Sequence, residues 1–288
     1  MDKAEIFNGI RPLLFTIAYD MLGSVMDAED MVQEAYLRWQ DVEGIESPKA
    51  YLTTTVTNLC INFLTSARVR REAYIGPWLP EPLVSQTGAK PDDIIALSES
   101  VSMAFLVLLE SLSPIERAVF LLRKVFDYDY ADISRMVSKD EAACRQIVSR
   151  AQQRLQAEKA RFTATREQQE KLTMQFLQTC ISGDMDGLLV LLAEDIVLQT
   201  DSGGTITHAA RKPVRGARNV AVYLLNILKA MPSDLKLKFG LINGQLGLVS
   251  YRGEKPFSVM ALHIVDGRIQ NIYNIMNPAK LKHIPREE

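Results

Sequence analysis

The chain has 288 residues, of which 47% are apolar and 24% charged, and its formal net charge is −2. This composition is typical of a soluble globular protein, and the length is sufficient for two or three domains. The sequence lacks the run of about 18 apolar residues that a membrane span requires, and its acidic N-terminus does not resemble a signal peptide. Cys60, Cys144 and Cys180 are odd in number and widely spaced, which favours a reduced cytoplasmic protein over a disulfide or metal framework.

The first part of the chain is predicted to be helical from residue 5 to residue 72. Apolar residues recur three and four positions apart, and Gly23 ends the first helix. Residues 27–39 form a second helix with one apolar face. Ser47 and Pro48 are typical of a helix start, so a third helix follows. We therefore expect one helical domain over residues 1–72.

A different composition follows between residues 73 and 92. The stretch GPWLPEP (76–82) contains three prolines, a glycine and a tryptophan. Proline removes a backbone donor and disfavours helix at the preceding residue. This segment is predicted to be an extended linker.

Residues 93–162 are predicted to form a second helical domain. SPIE (113–116) fits a capping box, with Ser as the N-cap and Pro at the first helical position. A short helix over 130–137 precedes SKDE (138–141), which has the same capping pattern, and a basic helix follows. Two helices joined by a short turn indicate a helix-turn-helix.

Residues 166–288 are predicted to form an α+β domain. Helices are expected near 167–182, 185–193 and 217–230, and four strand-like runs separated by Asn-Gly, Asp-Gly and Pro-containing turns follow from residue 235. Helices followed by a run of hairpin-connected strands predict an antiparallel sheet.

The order of these parts resembles the bacterial RNA polymerase sigma factors of the extracytoplasmic-function type. The resemblance covers residues 5–160 and depends on DAEDMVQEAYLRW, ARVRRE and SLSPIERAVFLL in that order. The remainder is similar to a SnoaL-like cone domain, which one group of these sigma factors carries together with a WLPEP-type linker. The resemblance implies two all-α modules, sigma regions 2 and 4, followed by an α+β SnoaL-like domain. It also implies that RNA polymerase core enzyme and promoter DNA are the partners.

The second helix carries the residues that the resemblance assigns to polymerase binding. Its polar face presents Glu29, Asp30, Gln33 and Glu34. In sigma factors this acidic face binds the basic clamp helices of the polymerase. The alternative is an ordinary solvated helix face.

Polar and cationic side chains on the third helix are candidates for contacts to the −10 promoter element. Thr53, Thr57 and other polar residues are predicted to share its outer side, and arginines follow at its end. Asn and Arg side chains can bond bases and phosphates, which suits stabilisation of unpaired DNA. The assigned residues are Asn58, Asn62, Arg68, Arg70 and Arg71. The alternative is a polar helix whose basic end complements the helix dipole.

The last helix of the second module has the polar spacing of a recognition helix for the −35 element. Its polar residues recur three to five positions apart, while apolar residues between them can pack inward. The assigned residues are Arg145, Gln146, Ser149, Arg150 and Arg154. The alternative is a basic, solvated helix.

The linker is predicted to pack against the SnoaL-like domain, with Trp78 and Leu79 as apolar anchors, and so to let that domain regulate the sigma modules in cis. The alternative is that Trp78 packs on its own module. The segment DSGGT (201–205) departs from the family pattern, because Ser202 and Thr205 replace a Gly and a Lys. The predicted interdomain residues are Trp78, Leu79, Pro80, Glu81, Pro82, Asp201, Gly203, Gly204, Asn277, Pro278, Lys280 and Leu281.

Catalysis is not expected in the C-terminal domain, and no cofactor or metal is predicted. The acid–base candidates are Asp201, His208, His263 and Asp266, but their spacing is not diagnostic, and Asp266-Gly267 fits a hairpin turn. A small molecule is a further candidate partner of this domain, and no residue pattern identifies it. Two alternatives to a sigma factor are a helix-turn-helix regulator with a ligand-sensing domain and a SnoaL-type enzyme with a helical appendage.

Overall fold

The computed structural model describes residues 2–72, 74–85, 101–159, 166–207, 209–230 and 232–287. These residues divide between two compact units. The helical unit contains the described residues up to 72, residue 101 and residues 105–159. The sheet unit contains residues 74–85, residues 102–104 and the described residues from 166 onward. The segment between the two helical modules therefore belongs to the sheet unit; we call residues 74–85 the linker segment.

Three helices form the first module: α1 (Lys3–Leu22), α2 (Val25–Gln40) and α3 (Pro48–Glu72). Gly23 ends α1 in the left-handed conformation, with φ of 65°, as its position in the sequence predicts. Ser24 then caps α2 by accepting the backbone N–H of Asp27. At the start of α3 the Ser47 hydroxyl accepts the Ala50 N–H, which confirms the predicted cap.

Four helices form the second module: α4 (Met103–Leu109), whose first two residues are counted with the sheet unit, α5 (Pro114–Lys124), α6 (Tyr130–Val137) and α7 (Glu141–Lys159). The capping box of α5 is present as predicted, because the Ser113 hydroxyl accepts the Glu116 N–H and the Glu116 carboxylate accepts the Ser113 N–H. Helices α6 and α7 form the expected helix-turn-helix.

The predicted capping box over 138–141 is wrong. Ser138 adopts the left-handed conformation, with φ of 52°, and ends α6. Asp140 caps α7 instead, since its carboxylate accepts the Ala143 N–H at 2.7 Å. Serine and aspartate are both good N-caps. Because Ser138 serves as the left-handed C-cap of α6, Asp140 is the residue that caps α7.

The two helical modules contact each other within the helical unit. The hydroxyls of Thr53 and Tyr128 lie 3.3 Å apart, and the Asn58 amide donates to the Met136 carbonyl at 3.1 Å. Arg117 on α5 donates to the Met21 carbonyl of α1 at 2.7 Å. Thr53 and Thr57 are fully buried, so their predicted place on the solvent side of α3 is wrong. The side of α3 that carries these threonines is therefore packed inside the helical unit, although its polar residues suggest that it faces solvent.

A seven-stranded sheet with covering helices forms the sheet unit. Its helices are α8 (Arg166–Ser182), α9 (Met185–Leu191) and α10 (Ala217–Ala230), with a 3₁₀ helix at Pro278–Leu281. Its strands are β1 (Val84–Ser85), β2 (Leu192–Asp201), β3 (Val214–Arg215), β4 (Leu235–Ile242), β5 (Gln245–Arg252), β6 (Lys255–Val265) and β7 (Arg268–Ile275). The strand order is β1-β4-β5-β6-β7-β2-β3.

The sequence predicts a wholly antiparallel sheet. The structure differs at one pair, because β2 runs parallel to β7. Strand β2 comes before α10 and is not joined to β7 by a hairpin, so no turn dictates its direction. The predicted turns are confirmed elsewhere. Asn243-Gly244 and Asp266-Gly267 both have positive φ at both residues, which two-residue hairpins require.

One face of the sheet packs against α8 and α10 to make the core of this unit. Phe176 and Leu224 on the helices contact Leu198, Leu262 and Ile272 on the strands. The buried core of this unit therefore lies between the helices and one face of the sheet. Among the described residues, no helix combines the length and apolar character needed to cross a membrane.

Candidate functional sites

The exposed face of α2 carries a narrow stripe in which two polar residues lie between two apolar ones. Met26, Asp30, Gln33 and Leu37 are spaced at intervals of four and three, so they lie along one line of the helix. Met26 and Leu37 are 52% and 49% exposed, which is unusual for large apolar side chains. We call these four residues the α2 stripe. The helical spacing could have revealed Met26 and Leu37 as interface candidates, but the sequence-based prediction considered only the polar positions of this face.

The other two acidic residues predicted on α2 have cationic neighbours. Glu29 pairs with Arg11 of α1 at 2.5 Å, and Glu34 pairs with Arg38 at 2.8 Å. Both pairs are exposed, so each contributes little to stability. Asp30 and Gln33 are therefore the polar residues of the predicted set that face solvent at the centre of the stripe.

Helix α3 exposes both of its predicted DNA-binding asparagines. Asn58 and Asn62 are exposed, and the Asn58 amide also donates to the Met136 carbonyl of α6. Ile61 also packs against the core of the second module. Arg68, Arg70 and Arg71 lie in the last turns of α3, and their side chains lie outside the described residues.

Helix α7 separates its polar face from its packed face as the sequence predicts. Gln146, Ser149 and Arg150 are exposed, while Val148 and Ala151 are buried. The two remaining predicted residues have local partners. Arg145 pairs with Glu141 at 2.5 Å and lies 5.0 Å from the ring centroid of Tyr130.

Arg154 is held against the start of α5. Its guanidinium donates to the Ser111 carbonyl at 3.3 Å and lies 3.4 Å from Glu116, the capping residue of α5. The pKa of Glu116 is lowered, first by the Ser113 backbone N–H and then, in part, by this arginine. Arg154 thus has a structural contact that Arg150 lacks among the described residues.

In the sheet unit, five residues meet around one buried carboxylate, and we call them the Asp201 cluster: Tyr74, Leu79, Asp201, Asn277 and Lys280. Asp201 is fully buried at the end of β2. Its carboxylate accepts the Tyr74 hydroxyl at 2.6 Å, the Leu79 backbone N–H at 2.8 Å and the Lys280 ammonium at 2.7 Å. A buried carboxylate needs such donors, because an unpaired buried charge is costly.

Lys280 and Asn277 complete the cluster from the C-terminal side. The Lys280 ammonium also donates to the Leu79 carbonyl and lies 4.1 Å from the ring centroid of Trp78. The Asn277 amide donates to the Tyr74 hydroxyl at 2.7 Å. Burial and the neighbouring Asp201 raise the pKa of Tyr74, so its hydroxyl keeps the proton that it donates.

Two glycines allow the chain to approach the cluster closely. Both Gly203 and Gly204 have positive φ. A Cβ at Gly203 would lie 2.7 Å from the Asn277 amide nitrogen, and one at Gly204 would lie 3.1 Å from Ile75 of the linker segment. The Thr205 hydroxyl makes only a local hydrogen bond, which it donates to the Ser202 carbonyl. Lys280 supplies the cation of the cluster.

The rest of the linker segment is bound along the same unit. Leu79 is fully buried, and the three residues that follow it, Pro80, Glu81 and Pro82, are buried as well. The His283 ring donates to the Pro82 carbonyl at 2.8 Å. Strand β1 then forms the edge of the sheet by pairing with β4, where Val84 lies opposite Ile242. The Asn243 side-chain oxygen accepts the Leu83 N–H at 3.2 Å. No sequence motif marks Tyr74 or His283, and Asn243 was marked only as part of a turn.

The other acid–base candidates of the C-terminal domain do not join this cluster. His263 faces Asn271 across β6 and β7 at 3.1 Å, and Asp266 lies in the turn after β6. His208 lies outside the described residues. Asp201 accepts hydrogen bonds from Tyr74 and Leu79 of the linker segment, and its assignment to the interdomain regulatory set stays a prediction.

Comparison with known proteins identifies the two helical modules. Residues 6–70 match the Sigma-70 region 2 family, and residues 102–155 match the Sigma-70 region 4 family. The chain is 33% identical over 301 aligned positions to the ECF RNA polymerase sigma factor SigJ of Mycobacterium tuberculosis, covering 100% of this chain and 96% of the relative. It is 28% identical to the probable ECF sigma factor SigI of the same organism, covering 96% and 94%.

A solved structure agrees with this relationship over both units. The crystal structure of M. tuberculosis SigJ matches with a TM-score of 0.79 and 30% identity, covering 96% of this chain and 97% of the other. The two helical modules and the α+β domain define the class: a sigma-70-type factor with a SnoaL-like C-terminal domain. The chain belongs to the ECF RNA polymerase sigma factors, which confirms the predicted family and fold class.

Proposed function

We propose that this alternative sigma factor binds RNA polymerase core enzyme through α2, the −10 promoter element through α3 and the −35 element through α7. The observation that carries the proposal is the alignment of the entire chain with a sigma factor, combined with exposed polar faces on α2 and α7. A helix-turn-helix regulator that acts without polymerase is not favoured, because it gives no role to sigma region 2.

Polymerase binding is assigned to the α2 stripe together with Glu29 and Glu34. Apolar side chains beside charged ones are typical of binding surfaces, where the apolar anchor supplies affinity and the charge supplies orientation and association rate. Leu37 is the apolar anchor of this proposal, and Asp30 is its central charge. Both are exposed in the helical unit.

Promoter binding is assigned to α7 for duplex DNA and to α3 for the opened strand. The exposed Gln146, Ser149 and Arg150 can reach bases and phosphates in a major groove. Asn58 and Asn62 are both exposed on α3, and the single hydrogen bond from the Asn58 amide to the Met136 carbonyl leaves its side-chain oxygen available to DNA.

The C-terminal domain is proposed to regulate the sigma modules in cis by holding the linker segment. This segment connects the two modules along the chain, and its contacts to Asp201 and Lys280 restrict its conformations. When those contacts are released, the linker segment samples more conformations and restricts the distance between the two DNA-binding modules less.

The test is transcription in vitro from a pool of genomic fragments, with bacterial core polymerase and the full chain. We expect initiation at defined sites only when the protein is added. Asp30→Lys and Leu37→Ala should each lower polymerase binding and transcript yield, while Glu46→Lys, an exposed charge reversal outside the stripe, should leave both unchanged. Sequence-specific DNA binding without any effect on initiation would contradict the proposal.

Regulation in cis has a separate readout. Lys280→Met removes the cation of the Asp201 cluster but no residue of the two sigma modules. We expect a changed transcript yield at equal polymerase occupancy. An unchanged yield, in a variant whose linker segment is demonstrably released, would exclude the regulatory role while leaving the sigma activity intact.

A further inference from the structure

Four exposed cations follow one another within a short segment of the C-terminal domain. They are Arg211, Lys212, Arg215 and Arg218, and we call them the basic patch. The whole chain has a net charge of −2, yet residues 202–233 contain five Lys or Arg residues and no Asp or Glu. This stretch is therefore strongly positive, and local charge matters more than the total for binding to a polyanion.

The backbone that carries the basic patch is held by the sheet, by α10 and by the linker segment. Arg215 lies on β3, at the edge of the sheet. The Asn219 amide donates to the Arg215 carbonyl at 2.9 Å, which ties β3 to the first turn of α10, where Arg218 lies. At the other end of the patch, a Cβ added to Gly76 would lie 3.7 Å from the Arg211 carbonyl oxygen. The four side chains therefore start from a backbone that is fixed within the sheet unit.

The cations of the basic patch are not neutralised within the described part of the chain. None of the four side chains forms an ion pair or a hydrogen bond with a described residue. The acidic residues exposed on the neighbouring strand β2 are Glu194 and Asp195, and the Asp195 carboxylate accepts the Gln270 amide at 2.9 Å. The patch can therefore bind an external anion without breaking an internal ion pair.

The composition of the basic patch favours phosphate groups over a protein surface. Protein interfaces depend on large buried anchors, and no large apolar side chain is exposed among residues 209–219. Three of the four cations are arginines, whose guanidinium groups bind phosphate oxygens through paired hydrogen bonds. Duplex DNA carries one phosphate for about every 1.7 Å of its axis. Residues 211–218 extend over less than ~29 Å, so phosphates are dense enough for each cation to meet one.

The position of this domain in the chain favours DNA as the source of those phosphates. The linker segment begins two residues after the end of α3, and α8 begins seven residues after the end of α7. These two helices are the ones proposed to bind the −10 and −35 elements. A short tether gives a second binding surface a high effective concentration near its target. Individually weak phosphate contacts are therefore sufficient to add measurable affinity.

We propose that the basic patch is a third DNA-contacting surface of this sigma factor, which binds the phosphate backbone of the promoter duplex without reading its sequence. The inference rests on the proposed function, since it needs a holoenzyme that is held at a promoter. The patch is separate from α2, α3 and α7, and none of its side chains belongs to the Asp201 cluster. It adds affinity and no base preference, because phosphate contacts carry no sequence information.

The test compares two triple variants of the full chain that remove the same charge from the C-terminal domain. The patch variant carries Lys212→Gln, Arg215→Gln and Arg218→Gln. The control variant neutralises three exposed cations elsewhere in the domain, through Lys229→Gln, Lys255→Gln and Arg268→Gln. Binding of each holoenzyme to a promoter fragment that the unmodified holoenzyme selects is measured at salt concentrations from about 50 to about 200 mM.

The patch variant should bind with a weaker dependence on salt. Three lost phosphate contacts lower the salt slope by about 2.7, at ~0.9 for each contact. Over a fourfold range of salt, the patch variant should therefore lose about 40-fold less affinity than the unmodified protein. The control variant should keep the salt slope of the unmodified protein. Binding to core polymerase in the absence of DNA should be the same for all three proteins.

Three results would overturn the inference. An unchanged slope in the patch variant means that the patch does not touch DNA. An equal reduction in both variants means that only the net charge of the domain matters. Weaker binding of the patch variant to core polymerase without DNA means that the patch contacts an acidic protein surface instead.

Failure of the proposed function has a different signature, which is a full chain that selects no promoter when core polymerase is present. The two variants are then compared as free proteins on a duplex of random sequence, over the same range of salt. A lower slope for the patch variant alone would support the basic patch as a DNA-contacting surface although the sigma activity had failed. Equal slopes for the patch variant and the unmodified chain would exclude it.

Discussion

The carboxylate of Asp201 and the ammonium group of Lys280 lie 2.7 Å apart in the sheet unit, and both side chains are almost completely removed from solvent. They come from different parts of the domain, the end of β2 and the 3₁₀ helix after β7. Both also bind Leu79, since Asp201 accepts its N–H and Lys280 donates to its carbonyl. The ion pair thus holds one peptide of the linker segment from two sides.

Replacement of Lys280 tests how strongly this pair holds the linker segment. Lys280→Met keeps the length of the side chain but leaves a buried carboxylate without its cation, which typically costs about 3–5 kcal/mol. We expect faster hydrogen exchange at Leu79 and its neighbours, measured by mass spectrometry on peptides covering residues 74–85. Lys282→Met, an exposed lysine two positions later, should not change that exchange. Equal protection in both variants would show that the ion pair does not hold the segment.

Two glycines, Gly203 and Gly253, allow the cost of a steric clash to be measured apart from the cost of a left-handed backbone. Gly203 and Gly253 have nearly the same positive φ, 57° and 59°. A Cβ at Gly203 meets Asn277, whereas one at Gly253 has no atom within 4 Å. Alanine at either position costs about 1–2 kcal/mol for the left-handed backbone. Gly203→Ala should cost about 1–3 kcal/mol more, because a close-packed neighbour must move.

The comparison is made by urea denaturation of both variants, followed by Trp78 fluorescence in a Trp39→Phe background. Equal losses of unfolding free energy would mean that Asn277 moves aside without cost. A larger loss in Gly203→Ala is the expected result, and a faster hydrogen exchange at residues 74–85 should accompany it.

Local signals in the sequence were sufficient for most elements of the fold. The Ser113–Glu116 capping box and the Asn-Gly and Asp-Gly turns depend on residues within four positions of each other, and all are present. The end of α6 depends on Ser138 adopting a conformation that serine rarely takes. The sequence therefore favoured the wrong cap for α7.

Long-range contacts explain what the sequence could not predict. Thr53 and Thr57 are polar residues on a helix, and only their packing inside the helical unit shows that they are buried. Tyr74 bonds to Asp201, which is 127 positions away, so no local pattern marks it. Lys280 was selected from the family resemblance, and its role as the counter-ion of Asp201 follows only from the folded structure.

The recognition helix offers a test with two arginines on the same helix. Arg150 is exposed and has no ion pair among the described residues, whereas Arg154 contacts Ser111 and Glu116. We expect Arg150→Ala to weaken holoenzyme binding to promoter DNA and to reduce its salt slope by about 1, as expected for one lost phosphate contact. Arg154→Ala should change the salt slope less. A larger effect on the slope from Arg154 than from Arg150 would contradict the assignment of the exposed face.

The capping box of α5 is expected to make the free energy of unfolding depend on pH. The Ser113 N–H donates to the Glu116 carboxylate at 2.9 Å, which lowers the pKa of Glu116 from its ordinary 4.5. A folded-state pKa below the unfolded value adds stability that is fully present above pH 4.5 and is lost as the pH falls through the lower, folded value.

Glu116→Gln keeps an acceptor for the capping box but removes the charge. The difference in unfolding free energy between the unmodified chain and this variant, measured by urea denaturation at several pH values, should therefore be constant near neutrality and shrink below pH 4.5. A difference that grows on acidification would reverse the sign and exclude the ionised carboxylate as the stabilising form.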